Sequence, residues 1–177
     1  GTLELATFGV VLNIMSLPFM LATGMGVATS VRVAISKSRK DANDAATAGW
    51  TGLGLSAIMI GIGGLFLFFL PNEILSFYSE DPRLISGAVT SVVFAAFVLI
   101  LDGGQAVLSS ALRGLGETWG PMYIQAFSFI VVMIPLSYWL SITLGHGVLG
   151  LVESILYATL VSFLLLSYWF HKKVSQV

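Results

Sequence analysis

The sequence has no cysteine, which excludes a disulfide framework, thiol catalysis and cysteine-ligated metal sites. Charge is also scarce. Asp, Glu, Lys and Arg make up 10% of residues and the formal net charge is −1, so a basic nucleic-acid-binding surface is not expected and nucleic acid is not a partner. The two histidines, His146 and His171, stand in no Glu-x-x-His or His-x-x-x-His spacing. An enzyme working inside a membrane needs paired carboxylates, a nucleophile with its base, or a metal cluster; none is visible, so neither enzyme activity nor a cofactor is expected. What is abundant is apolar: 56% of the 177 residues are hydrophobic and mean hydropathy is +0.94. A soluble domain carries about 25% charged residues and could not hide this much apolar surface. The chain therefore reads as an all-α, polytopic membrane protein with the lipid bilayer as its surroundings.

Five spans are predicted, at about 5–33, 45–70, 86–113, 122–144 and 148–170. In the first, Asn13, Ser16, Met20 and Gly24 share a face at offsets of 3, 7 and 11. Such a stripe of small and polar residues suits a cavity wall or close helix packing, and Asn13 reads equally well as an interhelical hydrogen-bond partner. Pro18 lies midway and removes a backbone donor. The second span is glycine-rich, and the spacings Gly49 to Gly54 and Gly61 to Gly64 predict tight helix approach. Pro71-Asn72-Glu73 ends it, and Glu80-Asp81-Pro82 opens the turn into the third. Gly114, Gly116 and Pro121 mark the next loop, Pro135 interrupts the fourth span, and Gly145-His146-Gly147 makes a tight turn before the fifth.

Basic residues orient the spans. With the Arg32–Asp44 loop in the cytoplasm, the inner side receives Arg32, Lys37, Arg39, Lys40, Arg113, Lys172 and Lys173, and the outer side only Arg83. That asymmetry predicts a multi-pass protein of the inner (plasma) membrane with this chain's N-terminus outside and its C-terminus cytoplasmic. An external start, an odd number of spans and a first residue, Gly1, without a basic leader together raise the expectation that further helices precede the chain.

The third span holds the one deep acid. Ser86 to Arg113 reads as a single helix of about 28 residues, longer than the roughly 20 that cross a bilayer, and places Asp102 inside the span beyond its midpoint. Gln105, Ser109 and Arg113 follow at offsets of 3, 7 and 11, a polar stripe roughly 80° wide running towards one end. A break at Gly103-Gly104 with Asp102 as a cap is disfavoured, because Ser86–Leu101 is short for a span and lipid tolerates no loose turn. An intramembrane carboxylate is functional by default. It can exchange a proton, hold Na⁺ through oxygen ligands with Gln105 one turn away, or attract a lipophilic cation. All three suit a coupled transporter; a channel would more often show a ring of acids or a filter loop. Glu153 reads as a helix N-terminal acid, and Arg113 as an interface anchor or a partner of Glu117.

Asp102-Gly-Gly-Gln105 followed by Ala111-Leu112-Arg113-Gly114-Leu-Gly116-Glu117-Thr118 resembles the tenth helix and following loop of multidrug and toxic compound extrusion (MATE) transporters. Asn13-Ile14 and Gly24-Met-Gly26-Val-Ala28-Thr-Ser30-Val31-Arg32-Val33 are similar to that family's eighth helix, so the spans correspond to helices 8–12 of twelve. After Arg32 the sequence departs, with Ala34 and Ser38 near positions where the family usually has glycine. The resemblance implies two pseudo-symmetric lobes around a central cavity and alternating access. It also implies efflux of small amphipathic, often cationic compounds against Na⁺ or H⁺, with Asp102 as the coupling acid of the C-terminal lobe. The N-terminal lobe and the seventh helix with its companion acid would lie outside this chain. A lipid-linked oligosaccharide flippase of the same superfamily and a non-transporting scaffold are the alternatives; a flippase cavity calls for several cations to hold pyrophosphate, and the spans' interior has none.

Overall fold

The polar and proline residues that interrupt the apolar segments work as helix punctuation. In a computed structural model, which describes residues 2–79 and 81–177, the carboxylate of Asp41 accepts a hydrogen bond from the Asp44 amide at 2.9 Å and that of Asp81 accepts one from the Arg83 amide at 2.9 Å. Each thereby satisfies a donor that the first turn of a helix leaves open. Pro71 and Pro82 sit in the first turn of their helices, where the missing N–H is harmless. Glu80 of the expected turn lies outside the described residues.

The resulting helices are α1 (Thr2–Ser38), α2 (Ala42–Phe69), a short α3 (Pro71–Ser76), α4 (Pro82–Gly114), α5 (Trp119–Thr143) and α6 (Gly147–Val174). All but α3 are long and apolar enough to cross a membrane. They run beyond the apolar stretches because polar interfacial residues such as Ser36, Lys37 and Lys172 continue the same helices. α1 continues through Pro18, whose ring packs on α2 opposite Gly63. α5 takes up Pro135 differently: wide turns at Phe127–Met133 and Trp139–Thr143 flank it, absorbing the backbone bond that proline cannot make.

α4 is the centre of the bundle, in contact with every other helix. Its close approach to α1 depends on Gly114, where an added Cβ would stand only 2.4 Å from the Ser30 carbonyl oxygen. On α2, Gly49 lies against Phe170, Gly52 against Thr29 and Gly64 against Ala96, whereas Gly54 and Gly61 meet nothing. These three glycines belong to a buried stripe, Ala45, Gly49, Gly52, Ser56, Ile60 and Gly64, whose members are spaced by three and four, and neither the Gly49–Gly54 nor the Gly61–Gly64 pair brings both of its glycines against a neighbouring helix. α5 is peripheral, with 11% of its most apolar window buried.

The apolar core is split in two. One cluster gathers Val11, Ile14, Leu67, Val92, Ala95, Leu99 and Val152, and the other Val33, Ala45, Leu108, Leu112, Leu166 and Phe170. Along α4 the gap between them runs from Leu99 to Leu108 and holds Asp102, Gly103, Gly104 and Gln105. Outside, Leu17, Ile58, Ile62, Phe66, Phe69, Ile130 and Ile142 are exposed on the bundle surface. A surface this apolar suits hydrocarbon and not water.

Candidate functional site

Asp102 is held where the two core clusters part. Its spacing of three from Gln105 on a continuous helix brings the side chains together, and Gln105 Nε2 donates to Asp102 Oδ1 at 2.5 Å. Gln105 is buried, and its amide oxygen has no partner among the described residues; Ser109 Oγ, one turn further along α4, is likewise buried and without a partner among them. Buried polar atoms are rarely left unsatisfied, so this run of α4 holds spare hydrogen-bonding capacity beside the acid.

Asp102 borders a cavity of about 350 Å³ lined by Leu12, Met15, Ser16 and Phe19 of α1, Phe129 and Met133 of α5, and Ile155 of α6. Two methionines and two phenylalanines make half of this wall, which is both adaptable in shape and attractive to cations through ring faces and sulfur. Among the described residues Ser16 is its only hydroxyl, and that donates to the Asn13 carbonyl at 2.6 Å. Among the described residues, Asp102 is the one formal charge lining it. A lone carboxylate against such walls costs about 2.5–3.5 kcal/mol near the bilayer centre unless something neutralises it.

Asn13, Met20 and Ser109, also expected at a cavity, do not line this one. Asn13 faces outward and accepts a hydrogen bond from Tyr78 Oη at 3.4 Å, and Met20 is exposed on the same face of α1. Ser109 belongs to the neighbouring buried stretch of α4. The cavity face of α1 is the stripe Leu12, Met15, Ser16, Phe19 at i, i+3, i+4, i+7, rotated from the one that polarity alone picks out. No three His, Asp or Glu side chains converge as a metal site among the described residues. Glu153 accepts from, or is paired with, His146 Nδ1 at 2.9 Å. Glu117 pairs with Lys173 at 2.7 Å and not with Arg113, because α6 ends beside the loop that follows α4.

Five apolar spanning helices around a deep acid and its cavity define a multi-pass membrane protein. The MatE family model matches residues 1–139, and the chain belongs to that family, the multidrug and toxic compound extrusion proteins. It is 36% identical over 183 residues to the multidrug resistance protein NorM of Burkholderia vietnamiensis, covering 100% of this chain and 39% of that protein. A probable NorM of Caulobacter vibrioides is 30% identical over 182 residues, covering 99% and 39%. The chain thus spans about two-fifths of these relatives' length. The fold is similar to that of the eukaryotic MATE transporter AtDTX14, with a TM-score of 0.90 at 20% identity, covering 99% of this chain and 40% of that one. It is also similar to an inward-facing MATE family transporter of the MOP superfamily, with a TM-score of 0.85 at 22% identity, covering 96% and 38%.

Proposed function

We propose that this chain forms the greater part of the C-terminal lobe of a secondary active multidrug exporter. The exporter exchanges small amphipathic or cationic compounds for Na⁺ or H⁺ by alternating access, and the remaining lobe and seventh helix complete the central cavity. The observation that carries this reading is Asp102, a half-buried carboxylate and the one acid among the described residues that borders this apolar and aromatic cavity. Proton, Na⁺ and substrate cation compete for one negative charge, so loading by one favours departure of another. For Na⁺ the Asp102 oxygens are the hard ligands, and rotation of the Gln105 amide about its last bond would add a further oxygen. A flippase reading gains nothing here, because a cavity whose one charge is negative repels pyrophosphate. In proteoliposomes holding the full-length protein, flux of a lipophilic cation should reverse direction when the Na⁺ or H⁺ gradient is reversed. Flux indifferent to both gradients would remove antiport.

The same reading puts the end of the bundle carrying Arg32, Lys37, Arg39 and Lys40 in the cytoplasm of a cell whose inner membrane the helices span. Cysteine placed at Ser38 in the full-length protein should then react with an impermeant maleimide only from the cytoplasmic side, and cysteine at Ser79 only from outside. The opposite labelling pattern refutes the orientation.

A further inference from the structure

Where α1, α4 and α6 end together, a cavity of about 460 Å³ opens between them, away from Asp102. Its polar lining is Lys37 from α1, Lys40 from the α1–α2 turn, Glu117 from the loop after α4, and Lys173 and Gln176 from the end of α6. Two of the three lysines have local duties. Lys37 Nζ donates to the Leu115 carbonyl at 2.5 Å, covering a backbone oxygen that the end of α4 leaves open. Lys173 is paired with Glu117 at 2.7 Å, with its ammonium 5.5 Å from the centre of the Trp169 ring.

Lys40 has neither duty. Its side chain makes no hydrogen bond or ion pair among the described residues, yet it lines the cavity beside two other ammonium groups and a single acidic side chain. Its backbone position is unusual too. The Asp41 amide donates to Ser36 O at 3.1 Å and the Lys40 amide to Lys37 O at 2.9 Å, a helix-ending motif whose left-handed residue is normally glycine. Here that residue is Lys40, at φ 56°. Glycine would make the turn with less strain, so neither turn geometry nor local pairing accounts for lysine here.

We propose that this cavity binds a phosphate group. Three ammonium groups from three elements surround it, only one of them neutralised by a carboxylate, and phosphate oxygens accept from several such donors at once. The surroundings are those of a membrane interface: Trp119 and Tyr123 are exposed and stacked at 6.0 Å, and Trp50 and Tyr168 are exposed at the same end. Basic pockets between spanning helices at such a level recognise anionic lipid head groups, and a free phosphate offers the same chemistry.

The test is thermal unfolding of the full-length protein in nanodiscs of neutral phosphatidylcholine. One arm adds phosphatidylglycerol and the other adds inorganic phosphate at matched ionic strength. The wild type should gain several degrees in Tm in at least one arm, and the arm that responds identifies the source of the phosphate. Lys40→Gly removes the charge and relieves the turn, so its Tm in phosphatidylcholine alone should equal or exceed wild type while the gain disappears. Lys172→Gln, which removes a charge that lies over the Trp169 ring and is not part of the cavity lining, should keep the gain. No gain in either arm, an undiminished gain in Lys40→Gly, or equal losses in both variants would overturn the site. The readout does not involve transport, so its failure leaves the exporter reading standing.

Discussion

Asp102→Asn is expected to abolish gradient-driven efflux by the full-length protein while leaving expression and Tm near wild type. Asparagine has nearly the same shape, and its side-chain oxygen can still accept the hydrogen bond that Gln105 Nε2 now gives Asp102. What disappears is the charge, and with it the difference in affinity that lets an ion bias one conformation over the other. Removing a carboxylate that has no permanent counter-ion can even raise stability. If Asp102 were only a structural hydrogen-bond partner, the ranking would invert, with damaged folding and transport falling in proportion. Expression, Tm and drug efflux measured for Asp102→Asn beside Asn13→Ala separate the two. Wild-type gradient-driven efflux in Asp102→Asn removes the coupling role.

Filling the cavity should be nearly as severe for a different reason. Ser16 lines it beside Asp102, and its hydroxyl serves only its own helix, through the Asn13 carbonyl. Ser16→Phe projects a ring into open space and leaves the acid and Gln105 untouched. Ion binding and Tm should therefore persist, while efflux of large planar substrates falls at least about tenfold, as expected when roughly 1.4 kcal/mol or more of binding is lost. Val131→Phe, on an exposed face of α5, should transport normally. Unchanged efflux of the largest substrates in Ser16→Phe would mean that substrate does not use this cavity.

Much of this arrangement is legible in the sequence because a membrane makes polarity informative. Asp102 stands out as the single deep acid, and a spacing of three on an unbroken helix is enough to bring Gln105 to it. The helices themselves follow from long apolar stretches bounded by Asp41, Pro71, Pro82 and Gly145. The cavity walls do not follow. Met15, Phe19, Phe129 and Met133 carry apolar side chains, and in a bilayer protein such a side chain suits lipid, core or cavity alike. Polarity marks Asn13 and helical spacing adds Met20 to its face of α1, yet the cavity face is turned about one residue away from them, and the packing of α5 and α6 decides which face is lined. Long-range pairs are hidden for a similar reason. Glu117 lies one helical turn from Arg113, but the two chain ends that meet in space are its own and that of Lys173. Lys40 reads as one more charge in a basic loop until its backbone is seen in the left-handed region.

The proposed competition of ion and substrate for the Asp102 carboxylate can be counted in ions. The direct measurement is the number of ions released when a cationic substrate binds the purified full-length protein. Proton release is followed by calorimetry in buffers of different ionisation enthalpy, and Na⁺ displacement by competition. Wild-type protein should release an ion on binding substrate, and Asp102→Asn should lose the release attributable to this site while still folding. Equal ion release by wild type and Asp102→Asn would rule out competition at this carboxylate.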